Sequence, residues 1–292
     1  MYIMMKNFLL IALFLFSGIS NCDSQKKESL VLNDKQFACY VLAICTQERG
    51  VKFGMVGDSW TDLLYGTNFI ETLRIQLEKY DDYKIVGATL GGETLAGAIS
   101  KGSHLRVIDN AGSSIKYMLL SLGGNDLQGN PSAFKTNGFT TEKNSRITLY
   151  KQNLREMIAT GNAYKISKYG GEPLLWIIHG YDFASPDNGS TTTCRSTLIT
   201  AGWTTEQING TDTSFSLPAT FNEFNEVLKT MTTEQPYLRY IDLRYSLGAT
   251  VANNYTSTAS LYLDCIHPNS VGFRIIGEKY ATILKGYTNN ER

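Results

Sequence analysis

The chain is 292 residues long, and its 27 basic and 27 acidic side chains leave a formal net charge of zero. Apolar residues make up 42% and charged residues 18%, which excludes an intrinsically disordered chain. With no cationic excess to neutralise phosphates, a general affinity for nucleic acid is excluded too, and the length suits one large domain.

Residues 1–21 read as a signal peptide. Lys6 opens it, Phe8–Phe16 is an unbroken apolar run, and Ser17, Gly18 and Ser20 are small. A spanning helix needs about 20 apolar residues, so this run is too short to be a permanent anchor. Cys22 follows directly, and Ile19-Ser20-Asn21-Cys22 resembles a bacterial lipobox, with Asn21 where Gly, Ala or Ser is usual. On this reading Cys22 becomes the lipidated first residue of an exported, membrane-held protein; the alternative is ordinary cleavage and secretion. Residues 22–36 are then a polar tether, and 37–292 the folded domain. Export makes the remaining cysteines, Cys39, Cys45, Cys194 and Cys265, candidates for disulfides, with three pairings open. A local bridge between Cys39 and Cys45 would leave Cys194 for Cys265. Zinc is a poor fit, since neither CxxC pairs nor clustered histidines accompany them.

From residue 51 onward, short apolar runs alternate with stretches of helical period. The runs Val51–Val56, Tyr83–Ala88, Tyr117–Leu122, Leu174–Ile178 and Tyr240–Leu243 predict strands of a parallel sheet covered on both faces. Helical spacing appears at Phe69, Leu73, Leu77 and Tyr80, at Ile147, Tyr150, Leu154 and Ile158, and at Phe273, Ile276, Tyr280 and Leu284. This alternation predicts an α/β protein, a three-layer α/β/α sandwich. The segment 184–216 interrupts it. Rich in Ser, Thr, Gly and Asn, with Trp203 and Phe215 as isolated large residues, it reads as a long loop overhanging the carboxyl edge of the sheet.

Four short motifs stand at strand ends or a helix start. Gly57-Asp58-Ser59-Trp60 follows the first strand, where a strand-to-helix turn exposes a serine hydroxyl beside helix N-terminal amides; Asp and Ser are also ordinary N-caps. Gly91-Gly92-Glu93-Thr94 follows the second, where glycine lets a backbone N–H approach a ligand. Gly123-Gly124-Asn125-Asp126 follows the third and offers a side-chain amide, although the same residues favour plain turns. Asp264-Cys265-Ile266-His267-Pro268 precedes the last helix, with a carboxylate three residues before an imidazole that it could orient. The other two histidines are His104, expected to be exposed, and His179, which closes the fourth strand ahead of Asp182 and reads either as buried or as lining a pocket.

In this order the four motifs resemble the SGNH (GDSL-type) hydrolase superfamily, over roughly residues 50 to 286. The resemblance implies a flavodoxin-like fold of about five parallel strands. It implies Ser59 as nucleophile, His267 as general base and Asp264 as the carboxylate that orients it. The oxyanion hole would comprise the Ser59 amide, the Gly92 amide and the Asn125 side chain. Trp60 replaces the motif's leucine and is expected, with His179 and Asp182, at the substrate pocket. No cofactor or metal is implied. The expected activity is hydrolysis of a lipid, acylated-glycan or small acyl ester; an O-acetyl transferase, or a surface module that binds glycan or protein without catalysis, are the alternatives. Oligomeric state is not legible. The sequons at Asn188, Asn209 and Asn254 are irrelevant to a bacterial lipoprotein.

Overall fold

The computed structural model describes residues 52–62, 64–65, 68–81, 84–187 and 194–288. The signal peptide, Cys22, the tether, Cys39, Cys45, the expected domain start at residue 37 and the sequon at Asn188 lie outside them.

Five strands form one parallel sheet: β1 (Phe53–Gly57), β2 (Ile85–Thr89), β3 (Tyr117–Ser121), β4 (Leu175–His179) and β5 (Leu238–Ile241). Their spatial order is β2-β1-β3-β4-β5. The central strands β1 and β3 are buried along their whole length, which is why they read as continuous apolar runs. The edge strand β2 is half exposed. On one face α1 (Leu73–Asp81) packs against α10 (Ser270–Thr288). The opposite face carries α3 (Ser103–Ala111), α6 (Phe139–Tyr169) and α9 (Leu217–Glu234), with the short α2 (Leu95–Ser100) beside α6. The architecture is thus the expected three-layer sandwich. Among the described residues no helix is long and apolar enough to cross a membrane.

The chain leaves β1 toward β2 and then returns past β1 to reach β3. The connections at the carboxyl ends of β1 and β3 therefore diverge, which opens a crevice where ligands bind in open α/β sheets. The serine motif follows β1 and the asparagine motif follows β3, one on either side of it.

Three expectations need correction. Phe69 belongs to a short antiparallel pair, Leu64–Tyr65 with Asn68–Phe69, and not to α1. The segment 184–216 contains α7 (Cys194–Thr200) and α8 (Thr205–Asn209), the latter closed by a capping box from Thr204 and Gln207. Trp203 and Phe215 are not isolated there. Both are buried, and both rings pack against Phe134 and Phe139 at centroid distances of 5.0–5.8 Å. A segment with its own aromatic cluster is a packed extension of the domain. His104, finally, is buried, because it shares the inner stripe of α3 with Val107, Ile108 and Ala111 and faces α6 where Gly161 leaves room. Its Nε2 hydrogen-bonds Thr160 Oγ1 at 3.1 Å.

Burial lowers the pKa of His104 from 6.5 to about 4. As pH falls, the unfolded chain takes up this proton first, so the stability His104 contributes is present above about pH 6.5 and lost toward pH 4. A His104→Gln variant keeps an N–H for Thr160 but cannot titrate. Between pH 7 and pH 4 its unfolding free energy in urea should fall less than that of the wild type, by up to ~3 kcal/mol. Identical pH slopes would contradict this.

Candidate active site

Gly57 ends β1, and a side chain there would run into Thr61 Oγ1, so the chain can fold back only with glycine. Asp58 extends the β1–β3 ladder, its N–H donating to the Ser121 carbonyl at 2.9 Å. Asp58 Oδ1 accepts from the Trp60 N–H at 3.0 Å, and the Thr61 N–H returns to the Asp58 carbonyl at 3.0 Å. These bonds fix a tight turn that carries Ser59 at the carboxyl edge of the sheet.

Residues Leu90 to Glu93 form a β-turn closed by the Glu93 N–H donating to the Leu90 carbonyl at 3.0 Å. Gly92 occupies the third position with φ +74°, the conformation that makes glycine necessary in a type II turn. Asn125 lies in the first turn of α4 (Gly124–Gln128). Its Nδ2 donates to the Glu93 carbonyl at 3.0 Å and, over a longer 3.4 Å, to Asp58 Oδ2. The Asn125 amide is thereby held between the serine turn and the glycine turn. Asp126, next in sequence, accepts from the Leu95 N–H and ties α4 to the start of α2.

The last motif forms a compact loop. Asp264 Oδ1 accepts from the backbone N–H groups of Ile266 and His267 at 2.9 and 2.8 Å, while its Oδ2 accepts from His267 Nδ1 at 2.8 Å. One carboxylate therefore closes the loop and orients the imidazole, while α10 is capped separately by Asn269, whose Oδ1 accepts from the Val271 and Gly272 N–H groups at 3.0 and 3.1 Å. The Leu263 N–H donates to the His267 carbonyl at 2.8 Å, and the Ser185 N–H donates to the Cys265 carbonyl at 2.9 Å. A disulfide joins Cys194, at the start of α7, to Cys265.

His267 Nε2 lies 2.7 Å from Ser59 Oγ, although the two residues are 208 positions apart. A carboxylate only accepts hydrogen bonds, so Nδ1 carries the proton and the Nε2 lone pair faces the serine hydroxyl. Burial pushes the Asp264 pKa up, but the hydrogen bond from His267, its charge and the two backbone N–H groups outweigh this and hold it below the ordinary carboxylate value. An ionised Asp264 stabilises a proton on His267, so a hydroxyl placed like that of Ser59 can pass its proton to the imidazole.

Trp60 and Asp182, expected at the pocket, do not line it, and of the two readings of His179 the buried one holds. Trp60 is 4% exposed, His179 is fully buried and Asp182 is 2% exposed, so all three belong to the walls behind the crevice. His179 donates from Nδ1 to the Gly180 carbonyl at 2.8 Å, and burial lowers its pKa to about 4. Asp182 accepts from the N–H groups of Phe183, Tyr245 and Leu247 and pins the segment after β5 to the end of β4; burial outweighs these bonds and raises its pKa to about 6. Sequence reasoning gave no role to Tyr181, whose hydroxyl donates to Asp58 Oδ2 at 2.5 Å and whose ring covers Gly124. The available signal was a tyrosine two positions beyond β4, at the same edge as the motifs.

No family model matches the sequence, and no curated protein does. Solved structures do match in three dimensions. A lipase from a goat rumen metagenome is 13% identical, with 80% of this chain and 96% of that chain covered and a TM-score of 0.52. A Bacteroides fragilis protein provisionally named an acylhydrolase is 13% identical, with 89% and 99% covered and a TM-score of 0.53. A GDSL-like lipase from Bacteroides thetaiotaomicron is 14% identical, with 87% and 98% covered and a TM-score of 0.52. The chain has the SGNH (GDSL-type) hydrolase fold. Within this SGNH fold the Cys194–Cys265 bridge spans 71 positions and anchors the loop that carries His267. Replacing both cysteines by serine should lower the unfolding free energy by about 2–4 kcal/mol. Urea denaturation of the oxidised protein and the double variant measures this, and superimposable curves would contradict it.

Proposed function

We propose that the protein is a serine esterase that cleaves a carboxylic ester through an acyl-enzyme on Ser59. The observation that carries this reading is the continuous chain of hydrogen bonds from Ser59 Oγ through His267 to Asp264. The lipase and GDSL-like lipase neighbours support the same class of reaction.

Ser59 Oγ attacks the ester carbonyl carbon while His267 Nε2 takes its proton. Asp264 stabilises the imidazolium that results. The carbonyl oxygen becomes an anion, which the N–H groups of Ser59 and Gly92 and the Asn125 amide stabilise. Asn125 keeps one hydrogen on the Glu93 carbonyl; the other, on the longer contact to Asp58, is the one an oxyanion would take. As the intermediate collapses, His267 returns the proton to the departing alcohol. A water molecule then attacks the acyl-enzyme, again giving its proton to His267; as the bond from Ser59 Oγ to the acyl carbon breaks, His267 returns that proton to Oγ and the carboxylic acid leaves. Lipid esters, acylated glycans and small acyl esters all suit this chemistry. We further propose that the chain is exported and lipidated on Cys22, a reading that rests on the N-terminal sequence.

Ser59→Ala should lose at least about a thousandfold in kcat/KM on p-nitrophenyl acetate, with an unchanged circular dichroism spectrum. Activity near the wild-type level would remove Ser59 from the role. In a bacterial host the wild-type chain should partition into the detergent phase of Triton X-114, and Cys22→Ala should move it to the aqueous phase. Equal partitioning of the two would exclude lipidation at Cys22.

A further inference from the structure

Trp60 directly follows Ser59, and Ile266 directly precedes His267. The Trp60 indole N–H donates to the Ile266 carbonyl at 2.9 Å. Ser59 and His267 make their own hydrogen bond at 2.7 Å. Two hydrogen bonds and two single-residue steps along the chain therefore form a closed ring of four residues, Ser59, Trp60, Ile266 and His267.

The indole is held from several sides. Its ring meets Tyr181 edge-on at 4.9 Å and Phe273 of α10 edge-on at 5.7 Å, and it stacks with His179 at 6.0 Å. A large planar side chain enclosed in this way is held in place by its packing. The core thus fixes the direction of the N–H, and the N–H fixes the Ile266 carbonyl. The bonds of Asp264 to Ile266 and His267 are internal to the loop, and those of Cys265 lead toward Ser185 and Cys194. The indole bond instead crosses from the serine turn to the loop. Leucine, the residue in the motif that the sequence resembles, would fill part of the same space but has no donor to offer.

We infer that Trp60 is a positioning residue: its indole N–H holds the Ile266 carbonyl so that His267 Nε2 stays within hydrogen-bonding distance of Ser59. This rests on the reading of Ser59 as nucleophile and His267 as base. Trp60 is buried, and its indole bonds the loop carbonyl, so it acts through the loop.

The cleanest test replaces Trp60 with 3-benzothienylalanine, which keeps the bicyclic shape and puts sulfur where the N–H was; Trp60→Phe is the encoded counterpart. A small displacement of a catalytic group costs rate steeply, so kcat on p-nitrophenyl acetate should fall about ten- to a hundredfold, with KM within about twofold of wild type. In a His267→Ala background the same replacement should cause no further loss, since the group it positions is gone. A kcat within about twofold of wild type in the benzothienyl protein would overturn the inference, whatever its thermal stability. So would a loss of equal size in the His267→Ala background. If Ser59→Ala itself retains activity, the underlying reading of the site fails; if Ser59→Ala is inactive while the benzothienyl protein turns over at full rate, the role of Trp60 fails alone.

Discussion

The hydrogen bond between Ser59 Oγ and His267 Nε2 joins residues from opposite ends of the domain, and most of the architecture can be read as what is needed to hold it at 2.7 Å. Two mobile side chains cannot keep such a distance by their own attraction, because the bond contributes only ~1 kcal/mol net and each side chain loses rotamer freedom in making it. The positions must be imposed by the backbone. On the serine side they are imposed by β1, buried along its length between β2 and β3, and by a glycine that lets the chain reverse immediately after it. On the histidine side they are imposed by a loop whose polar groups are satisfied internally by Asp264.

The crevice between these two supports lies where the sheet changes winding direction, and it gathers groups with different protonation preferences. Asp264 is kept ionised by bonds to His267 and to backbone N–H groups. Asp58, only one residue from the serine, has its pKa raised to about 6 by burial, although Tyr181 and the Trp60 N–H both donate to it. Two carboxylates in one crevice, Asp264 behind the imidazole and Asp58 beneath the serine turn, pushed in opposite directions are the kind of arrangement found at reaction centres. Such burial lowers stability: an ionised Asp58 weakens the fold as pH rises through 6, because its proton is held more tightly folded than unfolded.

The strands were legible because four of them coincide with short apolar runs and lie within two residues of the expected bounds. β5 starts two residues earlier than expected because Arg239 breaks the apolar run after Leu238 and hides the start of the strand. The grouping of Ser59 with His267 and Asp264 was legible only through the order of the four motifs, since each motif alone is also a good turn or cap. What was not legible concerned burial. His104 is expected at the surface because it lies in a connection between the second and third strands, whereas its i, i+3, i+4, i+7 relation to Val107, Ile108 and Ala111 marks a buried stripe. Trp60 and Asp182 are expected at the substrate pocket because they stand at the functional edge, but position at that edge does not reveal which side is covered; of the two readings of His179, the buried one holds. Trp203 and Phe215 seemed isolated because their partners, Phe134 and Phe139, lie some 70 positions away in the chain.

Covalent labelling examines the proposed nucleophile Ser59 and its activation by His267 directly. Treating the folded protein with a fluorophosphonate and mapping the adduct by peptide mass spectrometry should find a single phosphonylated residue, Ser59, and no labelling in a His267→Ala variant. An unlabelled Ser59, or labelling that survives loss of the imidazole, would contradict it.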